Sequence, residues 1–264
     1  MEASVPEIHS GLHLARALFF EFIGTALMVY AYNYTAASYM GRGFAYFIGW
    51  MLAVSISGAH FNPATTLAVY LAEGKYLKQL GRLILYMLIQ FAGGFLGIFF
   101  TWLVLKQPVM GYLLWPHIND PNVVFWYFSP IGNIYYGKIV FLEILNTMSF
   151  IICYLLIIYK PSLRTVDEIV KGLGASIVLW MCYFLSGGSG ACLNPALGLA
   201  QTAYQVGFLN GADLNGNGFA SLIWVYMVMP FVGAVFGALF FRMHISLDNK
   251  ALQPRAGGGA AVPA

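Results

Sequence analysis

The sequence predicts an all-α membrane protein: six membrane-spanning helices and two helices that cross only half of the bilayer, arranged as an inverted repeat. Three observations predict it. The chain is 60% hydrophobic and 9% charged, against about 25% charged residues in a soluble domain, so most of its surface must face lipid or other apolar helices. Hydropathy marks six apolar segments, roughly 14–37, 42–57, 79–104, 134–159, 169–186 and 219–242. The tripeptide Asn-Pro-Ala occurs twice, as Asn62-Pro63-Ala64 and Asn194-Pro195-Ala196, each time after a short glycine/serine stretch.

The elements follow in order. The run from Leu14 to Ala37 is too long for a signal h-region and ends without a small-residue cleavage site, so it is the first span. The second span, 42–57, is short and leads into Ser57-Gly58-Ala59-His60-Phe61 and then Asn62. Asn caps a helix, and Pro suits the first helical position because its missing N–H has no partner there. The apolar stretch Thr65–Ala72 is half a span long. A full span follows at 79–104. The second half repeats this order: span 134–159, short span 169–186, Asn194 with the half-helix Leu197–Gln205, and span 219–242. Glu21 in the first span and Glu143 in the fourth sit in similar contexts. Three spans per half force the second copy to enter from the opposite side, an inverted repeat whose site lies near the midplane. The expected organisation is an N-terminal segment 1–13, a first repeat 14–105, a connecting loop 106–133, a second repeat 134–243 and a disordered tail 244–264.

Lys and Arg set the orientation. With the N-terminus inside, Arg16, Lys75, Lys78, Arg82, Lys160, Arg164, Lys171, Arg242, Lys250 and Arg255 are cytoplasmic. Arg42, Lys106 and Lys138 are outside. Both termini are therefore expected in the cytoplasm. The net charge of +3 does not suggest nucleic acid. Cys153, Cys182 and Cys192 form neither a disulfide framework nor zinc spacing, and no cofactor or metal is expected.

Irregular backbone at membrane depth is tolerated only where protein or a water-filled cavity satisfies it. The stretches before Asn62 and Asn194 are such backbone, and Gly58, Ala59, His60, Gly190 and Cys192 are expected to line a pore with carbonyl acceptors. Two half-helix N-termini meeting from opposite leaflets would point their positive dipole ends at the midplane. Asn62 and Asn194 would offer amide donors there, and the field would repel cations, including a hydrated proton. Intramembrane Glu21 and Glu143 flag function by default. A structural role accepting loop N–H groups is the favoured expectation over a proton relay.

On these residues the chain resembles the aquaporins, the water and glycerol channels of the major intrinsic protein family. The resemblance covers about 14–243. It rests on Ser57 to Thr66, both Asn-Pro-Ala copies, Glu21 and Glu143, Gln90 with Gly93 and Gly94, and Trp224-Val225 with Pro230-Phe231-Val232-Gly233. It implies a right-handed bundle, one pore per subunit and a homotetramer in the lipid bilayer.

The departures bear on selectivity. Most family members have an arginine after the second Asn-Pro-Ala; here it is Leu197. Counting without gaps, the filter residue of the second span is Arg42 and that of the fifth is Cys182, with Ala191 the remaining loop position. The expected filter is thus Arg42, Cys182, Ala191 and Leu197, with the positive charge moved to the second span. The alternatives are that Arg42 snorkels to the headgroups, or that a gap shifts the register to Phe44 or Tyr46. Gly198, where glycerol channels of the family carry aspartate, and Tyr226 lean toward water. The small Ala191 and Cys182 lean toward glycerol, urea, ammonia or peroxide. His60 presents its carbonyl or serves as a pH gate. Cys182 and Cys192 react with mercurials if they line the pore. Asn33-Tyr34-Thr35 fits a glycosylation sequon.

The expected function is a passive channel for water, with other small neutral solutes, and no enzymatic chemistry. A glycerol-permeable channel is the alternative. An ion-coupled transporter would need carboxylates at the substrate site, and a non-conducting structural member of the family is the remaining class.

Overall fold

The computed structural model describes residues 11–34, 38–105, 136–160, 167–208 and 222–251. The expected loop 106–133 and Thr35 of the sequon lie outside the described residues, as do 1–10 and 252–264. Among the described residues there are eight α-helices: α1 Gly11–Tyr34, α2 Tyr39–Ser57, α3 Pro63–Glu73, α4 Tyr76–Leu105, α5 Tyr136–Tyr159, α6 Glu168–Leu185, α7 Pro195–Phe208 and α8 Ile223–Ala251. A 3-10 turn at Gly187–Ser189 follows α6. The all-helical fold is the one expected, with one difference at its end. The last helix runs on to Ala251, so 244–251, expected in a disordered tail, is helical.

Local chemistry sets the helix ends. Ser38 caps α2 by accepting from the Gly41 N–H at 3.1 Å, and Asp167 caps α6 by accepting from Ile169 N–H at 2.7 Å. At the other end of α2, Gly58 adopts φ +93° and returns its N–H to the Val54 carbonyl. This left-handed closure is open to glycine at no steric cost. The 11 residues of α3 rise about 16 Å, roughly half the hydrocarbon thickness.

Five helices (α1, α4, α5, α6 and α8) are long and apolar enough to cross a membrane. The 19-residue α2 falls outside that group, yet it leaves Phe44, Ile48, Met51 and Leu52 exposed on the bundle surface. Apolar burial alone does little to hold helices together in lipid, where close packing and hydrogen bonds specify the contacts. Here α1 packs on α4 and α5 on α8, while α2 packs on α6. Small residues make the first two contacts close. A Cβ on Gly93 would lie 2.4 Å from the Phe22 carbonyl oxygen, and one on Gly233 would lie 2.5 Å from that of Ile144. The half-helix α3 is held against α8 and α4, and α7 against α4 and α8. The two half-helices therefore meet inside the bundle. Asn33 is buried and donates to the Val29 carbonyl at 2.9 Å, which does not suit a glycosylation acceptor.

Candidate functional site

The two half-helix starts are built alike. Asn62 accepts from the Ala64 N–H at 2.8 Å, and Asn194 from the Ala196 N–H at 3.0 Å. Each is the N-cap that the following proline allows. Each side-chain amide then crosses to the other copy: Asn62 Nδ2 donates to the Leu193 carbonyl at 2.9 Å, and Asn194 Nδ2 to the Phe61 carbonyl at 3.0 Å. A carboxamide carries two N–H groups, so this exchange leaves a second donor on each Asn at the junction. Pro63, Ala64, Pro195 and Ala196 are buried behind them. Both helices start here, so both positive dipole ends converge on one point.

The loops are held in an unusual backbone. Positive φ occurs at Gly58, Ala59 and Phe61 (+93°, +54°, +51°) and again at Gly190, Ala191 and Leu193 (+95°, +56°, +51°). Left-handed φ is unfavourable for residues with a Cβ, so something must hold it. The buried carboxylates do. Glu21 accepts from Ser57 Oγ (2.6 Å), His60 N (3.0 Å), Phe61 N (2.7 Å) and Gln90 Nε2 (2.8 Å). Glu143 accepts from Ser189 Oγ (2.6 Å), Cys192 N (3.1 Å) and Leu193 N (2.7 Å). The Phe61 ring also fills the space beside two glycines. A Cβ on Gly24 would lie 2.0 Å from it and one on Gly49 2.6 Å.

Tyrosines close the loops from the opposite side; Tyr46 and Tyr226 stand out in the sequence for other reasons, and Tyr32, Tyr86 and Tyr154 do not. Tyr154 donates to the Gly58 carbonyl at 2.7 Å and Tyr46 to that of Ala59 at 2.9 Å. Tyr32 donates to the Gly190 carbonyl. Tyr86 and Tyr226 donate to the Ser57 and Ser189 carbonyls at 3.2 and 2.5 Å. A signal was present: Tyr32 follows Glu21, and Tyr154 follows Glu143, by the same spacing.

Of the expected filter, Arg42 is 1% exposed, and its guanidinium lies 3.8 Å from the centre of the Tyr32 ring. It does not snorkel. Tyr39 and Tyr183 flank it at 5.2 and 6.0 Å. Ala191 follows the Gly190 carbonyl that Tyr32 holds, and Leu197 packs in one apolar cluster with Tyr32, Val29 and Tyr226. Cys182 is buried, 3% exposed. Its neighbour Tyr183 is the α6 residue beside Arg42. A 3-10 turn at Gly187–Ser189 connects α6 to the loop before Asn194. Cys192 is buried, and its Sγ donates to the Asn194 carbonyl at 3.1 Å. His60 Nδ1 pairs with Thr66 Oγ1 at 3.1 Å. Gly198 is where a Cβ would lie 2.7 Å from the Tyr226 carbonyl oxygen, so close packing on α8 accounts for the glycine.

Half-helices meeting at their N-termini within an inverted repeat define an integral membrane protein of the pore-forming class. A family model described as "MIP: Major intrinsic protein" matches residues 7–241, and the chain belongs to the major intrinsic protein family. Among its relatives, a glycerol uptake facilitator protein of Streptococcus pneumoniae is 26% identical over 86% of this chain and 98% of its own. Aquaporin NIP2-1 of Arabidopsis thaliana is 28% identical over 94% and 81%. Among solved structures, the aquaglyceroporin from Plasmodium falciparum superposes with a TM-score of 0.69 at 20% identity, covering 90% of this chain and 99% of that one.

Proposed function

We propose that the protein is a passive channel for water and other small neutral solutes. It works as a homotetramer with both termini in the cytoplasm. The reciprocal Asn62–Leu193 and Asn194–Phe61 hydrogen bonds carry this reading. They fix two helix N-termini face to face, each with an amide donor left over. A neutral molecule that accepts a hydrogen bond fits there, and a cation is repelled by both dipole ends. Glu21 and Glu143 spend their oxygens on the loops, which favours support over proton relay and gives an ion-coupled transporter no carboxylate at the junction.

The filter assigned here is Arg42, Tyr183, Ala191 and Leu197, with Tyr32 carrying the cation. Fluxes in proteoliposomes test the function. Under a sucrose gradient the vesicles should shrink faster than empty ones, with little reswelling under glycerol. Shrinkage at the empty-vesicle rate by correctly folded protein would refute the channel. Glycerol permeation is the second reading, favoured by Leu197 in place of a charged residue, and rapid reswelling selects it.

Arg42→Ala removes the buried cation and leaves space above Tyr32. Glycerol permeability and proton leak should both rise while water flux persists. Stability should fall by about 2 kcal/mol, the scale of a desolvated cation–π contact. Unchanged glycerol and proton permeability would remove Arg42 from the filter.

A further inference from the structure

The direction of each loop carbonyl can be read from its neighbour's N–H. A trans peptide points its N–H and C=O oppositely. His60 and Phe61 turn their N–H groups to Glu21, so the Ala59 and His60 carbonyls point away from it. Ala59 gives its N–H to Ser57 Oγ on the same side, which turns the Gly58 carbonyl away as well. The second loop repeats this: Ala191 gives its N–H to Ser189 Oγ, and Cys192 and Leu193 give theirs to Glu143. The carbonyls of Gly190, Ala191 and Cys192 therefore form the matching row. On the channel reading, on which this inference rests, these rows are the acceptors for a permeating hydroxyl.

Tyrosine hydroxyls already occupy part of them. Tyr32 holds Gly190 and Tyr154 holds Gly58, at corresponding positions of the two repeats, while Tyr46 holds the next carbonyl, Ala59, in the first loop alone among the described contacts. These residues are buried: Tyr32 and Tyr154 are each 1% exposed and His60 2%. We infer that Tyr32 and Tyr154 are a symmetric pair of permeation gates, each hydroxyl standing in for the permeant until it swings off its carbonyl. A phenol O–H and a water O–H are equivalent donors to a carbonyl, so a permeant that brings its own donors can replace the tyrosine without leaving an acceptor unsatisfied. Water and polyols qualify; solutes lacking O–H or N–H do not.

Two neighbours equip the pair. Tyr32 carries the Arg42 guanidinium on its ring, so its movement also shifts the filter cation. Beside Tyr154, His60 Nε2 is buried without a hydrogen-bond partner. That nitrogen and the Tyr154 hydroxyl lie 3.0 and 3.9 Å from one point, the place a Cβ on Gly58 would take. It offers a partner to the displaced hydroxyl or to the first water admitted. Tyr86 differs: its Ser57 carbonyl belongs to the last residue of α2, so this hydroxyl braces a helix end.

The test is water permeability per folded protein in liposomes for wild type, Tyr32→Phe, Tyr154→Phe, the double variant and Tyr86→Phe, with thermal stability measured alongside. Each gate variant should conduct about fivefold faster, the change that a net hydrogen bond of about 1 kcal/mol corresponds to. The double variant should exceed both, and Tyr86→Phe should lose stability without gaining flux. A silent wild type with conducting gate variants also supports the gate. A conducting wild type whose folded gate variants conduct equally or more slowly overturns the gate and leaves the channel standing. No flux from any folded protein overturns both. Should a phenylalanine variant fail to fold, Tyr154→Met, which fills the space flexibly, reads the same gate.

Discussion

Glu21→Ala and Glu143→Ala are each expected to abolish recovery of folded protein. Glu21 accepts four hydrogen bonds and Glu143 three, all buried. The serine hydroxyls can turn to the Ala53 and Ser186 carbonyls, but alanine leaves the backbone N–H groups of His60 and Phe61, or of Cys192 and Leu193, facing an empty space within the membrane. Each orphaned buried donor costs about 1–3 kcal/mol, so the sum reaches the lower part of the roughly 5–15 kcal/mol that holds a folded protein together. The loops also lose the force that keeps Ala59, Phe61, Ala191 and Leu193 at positive φ. Glutamine keeps the shape but replaces one acceptor oxygen by a donor, so Glu21→Gln should be impaired less than alanine but still clearly. Size-exclusion profiles and thermal unfolding in detergent check this. A monodisperse Glu21→Ala protein with an unchanged unfolding midpoint would show that the carboxylate does not hold the loop.

Gly93→Val and Gly233→Val should be the next most damaging changes. At both positions the atom that a Cβ would strike is a backbone carbonyl oxygen on the facing helix, at 2.4 and 2.5 Å. A carbonyl within a helix cannot rotate aside, so α1 and α4, or α5 and α8, must separate along their contact. Overpacking costs about 1–3 kcal/mol where neighbours can adjust; here they cannot, and a loss of at least about 3 kcal/mol is expected. Gly174 is the control. The nearest atom to its Cβ position is an Ile157 side-chain carbon at 3.9 Å, so Gly174→Ala should leave the unfolding midpoint unchanged or slightly raised. A valine at Gly93 that behaves like the alanine at Gly174 would refute the close-packing account.

The contrast between these glycines shows what was legible in the sequence. Composition and span length gave the membrane class, and two Asn-Pro-Ala copies in equivalent settings gave the half-helices. Asn-Pro dictates a local structure almost alone, so those positions could be read directly. Gly174 and Gly93 look alike in sequence, and only the facing helix separates them. Cys182 is reached by a gapless count, whereas the place of its neighbour Tyr183, 6.0 Å from the Arg42 guanidinium, depends on how α6 packs against α2 and is not contained in any count. The tyrosines were hidden for a different reason. The chain has 17 tyrosines, and an aromatic residue in a membrane segment is usually lipid-facing or interfacial. Whether its hydroxyl meets a loop carbonyl depends on a partner up to 158 residues away, as for Tyr32 and Gly190.

That long separation has a consequence for biosynthesis. Asn62 needs the carbonyl of Leu193, 131 residues later in the chain. At translation rates of about 5–20 residues per second, the first half-helix leaves the ribosome on the order of ten seconds before its partner exists. During that interval its N-terminus must wait at a water-accessible surface or against the insertion machinery, because the bilayer core offers no substitute acceptor. The nascent first half therefore holds a polar helix end without its partner for that interval.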